Sequence, residues 1–270
     1  KALIKCLSLG KLIDKQLNWS AQPLSTIVIQ LGDQVDRGGR DCSNNDEASE
    51  VKIFDLLDKL HSQAKEFGGG VYSLIGNHEL MNTFGDMRFT TKMSQQYFGN
   101  SIYDRIDAFK PGGPISLRFA CTRNVIMKIG SFIFVHGGIL PQHLALSLEK
   151  INQIMRQYLI GDLKNNNRKY FDEYFLNQNS LLWSRKLAGN QPNCQQLNIT
   201  LNKLDVNGLV IGHTPQMKGI SSSCQNKIWK VDTGMSAAFC QSKPKYQVLE
   251  ILDDGQPLKS NIFKPFRVLK

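Results

Sequence analysis

The chain has 270 residues, 41% hydrophobic and 21% charged, a composition that suits a folded domain with one substantial core. No apolar run approaches the roughly 18 residues of a membrane span, so a spanning helix is excluded. A formal net charge of +10 comes from 33 Lys and Arg against 23 Asp and Glu. The basic residues are scattered with no block of like charge, so they read as solubility plus attraction to phosphate, not as a nucleic-acid surface.

Apolar residues from Ala2 to Ile13 recur at helical spacing, and the chain opens inside a helix with no cap before it. Thr26 to Leu31 is a β-branched, apolar run of strand length. It ends in Gly32-Asp33-Gln34-Val35-Asp36-Arg37-Gly38. Carboxylates are hard ligands for divalent metals, and an arginine fork matches two phosphate oxygens. A polar turn would also use Asp and Gly, so this stretch alone leaves both readings open. Glu47 to Phe67 reads as an amphipathic helix with Val51, Phe54, Leu57 and Leu60 on one face, stopped by Gly68-Gly69-Gly70. Val71 to Ile75 is a second strand, ending in Gly76-Asn77-His78-Glu79. Strand, helix, strand is a βαβ unit, and ligands of open α/β sheets gather at the carboxyl ends of the strands. Asn77 and His78 suit a metal ligand and a proton donor there, or simply a turn and helix cap.

Residues 80–115 read as an insertion with a short helix at Met93 to Phe98, closed by Pro111-Gly112-Gly113-Pro114. Asn124 to Ile129 and Ser131 to Val135 read as two strands joined at Gly130, the second ending in His136-Gly137-Gly138. His143 is expected on the surface of a helix running from Pro141 to about Leu159, followed by a solvated loop at Asn165-Asn166-Asn167. Arg185 follows the apolar anchor Leu181-Leu182-Trp183, where a surface ion pair is the ordinary role. A helix is expected from Gln196 to Leu204, then strands at Leu209 to Ile211 and Ile228 to Val231. The first of these ends in Gly212-His213-Thr214-Pro215 and the second in Asp232-Thr233-Gly234. Strands at Tyr246 to Leu252 and Ile262 to Leu269, with Asp253-Asp254-Gly255 turning between them, make the second half strand-rich. A second sheet packed on the first is therefore expected.

The six cysteines show no C-x-x-C spacing and read as reduced thiols of an intracellular, cytoplasmic protein. Organelle targeting stays open because Lys1 is not an initiator Met. Three of the five histidines sit at strand ends beside glycine, together with Asp33 and Asn77. Mixed oxygen and imidazole donors suit first-row divalent cations rather than a closed structural zinc.

The blocks GDQVDRG, GNHE, HGG and GHTPQ, in this order, resemble the signatures of the PPP-type metallophosphatases of the calcineurin-like phosphoesterase superfamily. Leu80-Met81-Asn82 after GNHE, and Trp183-Ser184-Arg185, are similar to the Shewanella-like protein phosphatases within that group. The resemblance implies an α/β fold with two sheets in a β-sandwich flanked by helices, an αββα arrangement in a single domain over 1–270. It implies two divalent metal ions (Mn, Fe or Zn), with Asp33 bridging them and Asn77, His136 and His213 holding the second. It implies His78 as proton donor oriented by Asp36, and Arg37 and Arg185 gripping the phosphoryl oxygens. The implied reaction is hydrolysis of phosphoprotein monoesters of Ser, Thr or Tyr by direct attack of a hydroxide between the metals. Dinucleoside polyphosphate or phosphodiester hydrolysis, and a catalytically dead phosphate-binding module, are the alternatives. The family's first block, Gly-Asp-x-His-Gly, belongs just before residue 1. The sequence is therefore expected to be truncated at its N-terminus and to lack two ligands of the first metal, so that the fragment binds metal weakly and is nearly inactive while the full-length chain is active. The resemblance does not identify regulatory subunits.

Overall fold

The computed structural model describes residues 1–40, 42, 46–255 and 265–270. Helix α1 (Ala2–Leu9) leads through Trp19 to strand β1 (Ile27–Gln30), and helix α2 (Glu50–Lys65) crosses to strand β2 (Gly70–Leu74). Strands β1 and β2 pair in parallel, Ile27 opposite Gly70 and Gln30 opposite Ser73, so both run toward the same edge. The apolar face expected on α2 is inward: Phe54, Leu57 and Leu60 are buried and Val51 packs against the core. Helix α3 (Asn77–Thr83) starts directly at the end of β2.

Beyond α3 the chain forms α4 (Lys92–Gln96), α5 (Ile102–Phe109) and α6 (Pro114–Thr122). The Pro-Gly-Gly-Pro stretch expected as a break supplies a helix start, with Pro114 in the first turn, where its missing N–H costs nothing. The single strand expected from Asn124 to Ile129 is two. Strand β3 (Arg123–Asn124) pairs with β2, and β4 (Ile126–Ile129) pairs with β5 (Phe132–Val135) in a different sheet. The chain changes sheets at buried Val125. Asn152 holds the crossing by accepting the Val125 and Ile126 N–H groups at 2.8 and 3.2 Å.

The helix expected from Pro141 to Leu159 is also broken. Pro141–Ala145 is a 3-10 turn, and Ser147 caps a separate helix α7 (Leu148–Leu159) by accepting the Lys150 N–H. His143 is fully buried, not exposed, because that turn folds it inward against Tyr174. Asn165 to Asn167, expected as loop, begin helix α8 (Asn165–Phe171), which carries Phe171 into the core, while the Asn167 amide donates to Gln157 at 2.7 Å. Helix α9 (Cys194–Leu204), strand β6 (Gly208–Ile211), a short strand β7 (Ser221–Ser223) and strand β8 (Ile228–Lys230) follow. Strands β9 (Val248–Ile251) and β10 (Phe266–Leu269) pair antiparallel. The expected start of the last strand at Ile262 lies outside the described residues.

The strands form a parallel set β1-β2-β3, the pair β10-β9, and a five-stranded mixed sheet β4-β5-β6-β8-β7. Period-two alternation decides what each face meets. In β5 and β6, Phe132 and Val210 face Leu31 and Leu74, while Ile133, Val135, Leu209 and Ile211 face the core shared with α7 and α9. On the outer side of β1 and β2, Leu7 of α1 packs with Leu57, Leu60 and Val71. The result is an α/β fold in which the β1-β2-β3 set and the five-stranded sheet pack face to face with helices outside them. Among the described residues, no helix is long and apolar enough to cross a membrane.

The thiols are not all reduced. Cys42 is bonded to Cys240 and Cys194 to Cys224, with Cα separations of 5.3 and 5.4 Å, while Cys6 and Cys121 are free. The partners lie 198 and 30 residues apart, so no local spacing could show them. Disulfides persist in oxidising compartments, and the thiol-based ground for a cytoplasmic location falls with them.

Candidate metal and phosphate site

The carboxyl ends of β1 and β2 touch because two glycines allow it. A Cβ on Gly32, whose φ is +89°, would run into the Gly76 backbone, and one on Gly76 would run into Asp33. Glu79 then ties the two loops together. Its buried carboxylate accepts the N–H groups of Asp33 at 2.8 Å, Gln34 at 2.6 Å and Gly76 at 2.7 Å. Burial raises its pKa, as does the nearby Asp33 charge, and these three donors oppose the rise. Asp33, Asp36 and His213 all adopt left-handed backbone, with φ of +57°, +68° and +63°. Side chains rarely sit there unless the surroundings impose it.

Ligand atoms of Asp33, His136 and His213 lie within 4.8 Å of one another. His136 Nδ1 donates to the Leu31 carbonyl at 2.5 Å, so its second nitrogen, Nε2, is the one aimed inward. That nitrogen meets Asn77 Oδ1 at 2.9 Å and Asp33 Oδ2 at 3.3 Å. Two oxygens converging on one ring nitrogen call for a cation there, either a second proton or a metal ion. Burial works against a charged ring, but the Asp33 carboxylate and the Leu31 carbonyl outweigh it and push the His136 pKa up to about 9. Burial likewise opposes charge on Asp33, yet the His136 and His78 rings hold its carboxyl below the usual range. His213 goes the other way. Burial, then the charges of His136 and Arg185, depress its pKa to about 3, and its buried Nε2 has no hydrogen-bond partner. A neutral imidazole with an unused lone pair, a carboxylate and an amide oxygen fit a hard-to-borderline divalent cation.

Beside this group stands a second one. His78 Nδ1 and Asp36 Oδ2 are 2.9 Å apart, and the His78 backbone N–H donates to Asp33 Oδ1 at 3.1 Å. Burial alone would lower the His78 pKa; the Asp36 hydrogen bond and the Asp33 and Asp36 charges raise it nonetheless. The other ring nitrogen, Nε2, is 3.4 Å from Arg40 Nη2. Arg40 Nη1 is held by the Asp36 and Gly38 carbonyls at 2.5 and 3.1 Å, and its guanidinium lies over the rings of Phe89 and Phe239. When His78 is protonated, two N–H donors face one position, which suits a shared oxygen acceptor.

The calcineurin-like phosphoesterase family profile matches residues 8–217. The chain belongs to that family. Within it, the chain is 30% identical to Shewanella-like protein phosphatase 2 of Arabidopsis thaliana over 296 residues, covering 93% of this chain and 72% of the relative. It is 30% identical to Shewanella-like protein phosphatase 1 of Plasmodium berghei over 252 residues, covering 90% and 66%. The fold is that of the cold-active protein-tyrosine phosphatase of a psychrophilic Shewanella species, with a TM-score of 0.68, 22% identity, and coverage of 100% of this chain and 76% of that one. The chain is thus a hydrolase of the Shewanella-like phosphatase group, a family that works with divalent metals.

Of the residues singled out from sequence in this phosphoesterase, Asp33, Asn77, His136 and His213 converge, and His78 and Asp36 pair next to them. Arg185 is exposed and reaches the rim, donating to the His213 carbonyl at 3.2 Å and Thr214 Oγ1 at 3.0 Å. Arg37 is half-buried with an unpartnered Nε, and Arg40 is the arginine of this loop that meets His78. Nothing in the sequence marks Glu79 as the tie between loops, or Glu50 and Asn82 as the groups behind Asp36. One signal was available for Arg105: it stands three residues before Ala108 and four before Phe109, on the apolar face of α5.

Proposed function

We propose that this phosphoesterase is a metal-dependent phosphoprotein phosphatase that hydrolyses phosphomonoesters of Ser, Thr or Tyr. Asp33, Asn77, His136 and His213 would hold the divalent metal, two ions of Mn, Fe or Zn on this reading. The bound ions supply Lewis acidity that polarises the phosphoryl group and acidifies the attacking water. Arg37 and Arg185 grip the free phosphoryl oxygens, which a monoester offers and a diester offers less fully. His78 carries a proton on Nε2 for the leaving oxygen, and Asp36 keeps Nδ1–H engaged so that the ring stays charged and correctly turned.

The observation that carries this reading is the adjacency of the two groups. The His78 backbone binds the same Asp33 carboxylate whose other oxygen faces His136, so proton donor and cation site share one residue. The names of the Arabidopsis, Plasmodium and Shewanella proteins support a phosphoprotein substrate. The test is hydrolysis of pSer, pThr and pTyr peptides against a dinucleoside tetraphosphate, with added manganese. Preference for the dinucleotide would overturn the reading. His78→Ala should lower turnover with metal content retained, whereas Asp33→Ala should empty the site. Loss of metal in His78→Ala would show that its assignment as proton donor is wrong.

A further inference from the structure

We infer that Arg105 is a positioning residue for proton delivery by His78, acting through Asn82 and Glu50 on Asp36; this rests on the phosphatase reading above. Arg105 comes from α5 and is fully buried, with its guanidinium over the rings of Phe98 and Phe109. Its Nε donates to Asn82 Oδ1 at 2.9 Å, and its Nη1 donates to Glu50 Oε2 at 2.6 Å and to the Ser94 carbonyl at 3.3 Å. Nη2 has no hydrogen-bond partner and points its charge at Asp36 Oδ1, 3.7 Å away.

Two of the groups that Arg105 holds, Asn82 and Glu50, also hold Asp36. Asn82 Nδ2 donates to Asp36 Oδ1 at 2.9 Å and to the His78 carbonyl at 2.9 Å. Glu50 Oε1 accepts the Asp36 N–H at 2.9 Å. The Nε donor settles which way the Asn82 amide faces, because an oxygen toward Arg105 leaves the NH2 for Asp36. With Oδ1 occupied, Oδ2 is the oxygen left for His78 Nδ1. The guanidinium also offsets the charge of two buried carboxylates that would otherwise repel each other. A buried arginine is a costly way to fill space between two phenylalanines, where methionine would pack. The ion pair with Glu50 offsets part of that cost, and the charge aimed at Asp36 adds restraint to a residue whose backbone is left-handed.

A residue that acts through the proton donor matters in proportion to the leaving group's need for a proton. For Arg105→Met, kcat on an alkyl phosphate such as phosphoserine peptide should fall about 100-fold, in the range of general-acid contributions. KM should stay within about threefold, as should kcat on 2,4-dinitrophenyl phosphate, whose leaving group departs unprotonated. In a His78→Ala background, Arg105→Met should cause no further loss on the alkyl substrate. Should Arg105→Met fail to fold, Asn82→Ala removes the relay while leaving the Arg105–Glu50 pair, and it should show the same leaving-group dependence. An equal fall on both substrates, or an additive loss in the double variant, would overturn the assignment. Absence of activity on both substrates in the metal-loaded full-length protein would instead overturn the phosphatase reading itself.

Discussion

Glu79→Gln should destabilise the fold by about 3 kcal/mol, although the substitution preserves shape. The carboxylate accepts three backbone N–H bonds, two on Oε2 from Asp33 and Gly76 and one on Oε1 from Gln34. A glutamine can place its oxygen where Oε2 was and keep two of them. Each drops from a charged acceptor, worth about 1.5–3 kcal/mol, to a neutral one, worth about 0.5–1.5 kcal/mol. Its NH2 then faces the Gln34 N–H, and a buried donor left unmatched costs about 1–3 kcal/mol more. Removing a buried charge beside Asp33 returns part of this, consistent with the raised pKa of Glu79. The net of about 3 kcal/mol corresponds to roughly 6 °C in Tm for a domain this large. Urea unfolding followed by circular dichroism, in chelator so that metal affinity does not enter, measures it. A loss under about 0.5 kcal/mol would refute the idea that Glu79 joins the two loops.

His143 should make the protein acid-sensitive. Burial depresses its pKa to about 4, so below the ordinary value of 6.5 the unfolded chain takes up a proton that the native state refuses. The contribution is whole above pH 6.5 and shrinks as pH falls toward 4, by about 2 kcal/mol at pH 5. His143→Gln should therefore lose less stability than the parent between pH 7 and pH 5 in urea titrations; equal losses would contradict this. Denatured but unreduced protein should take up iodoacetamide at Cys6 and Cys121 only, and at all six cysteines after reduction, as read by intact mass. Replacing Cys194 and Cys224 by alanine opens a closed loop of 30 residues and should cost about 2–4 kcal/mol, and an unchanged urea midpoint would count against the bond.

What sequence made legible is what strand ends encode. Asp33, Asn77, His136 and His213 each follow an apolar run that fixes a strand, and each lies beside a glycine in the chain. Parallel pairing of β1 with β2 and of β5 with β6 carries those ends to one side. Periodicity also gave the buried face of α2. It failed where a local pattern had two physical outcomes. An apolar run from Asn124 to Ile129 is equally good as one strand or as two halves in different sheets, and only Asn152, a helix away, satisfies the crossing backbone. His143 after a proline looks like a helix surface until the 3-10 turn buries it.

The residues behind the site were hidden for a further reason. Periodicity reports that a position is buried, but a buried charge is tolerable only with its partners, and partners are a property of the folded chain. Arg105 reaches Glu50 and Asn82, 55 and 23 residues away, and Asp36 sits between them. No spacing rule connects positions 36, 50, 82 and 105. A charged residue on an otherwise apolar helix face is the legible half of such a network. It marks a place where the core must contain an opposite charge, and therefore where the fold has committed burial energy to something other than packing. In this phosphoesterase that commitment lies directly behind the carboxylate that holds His78.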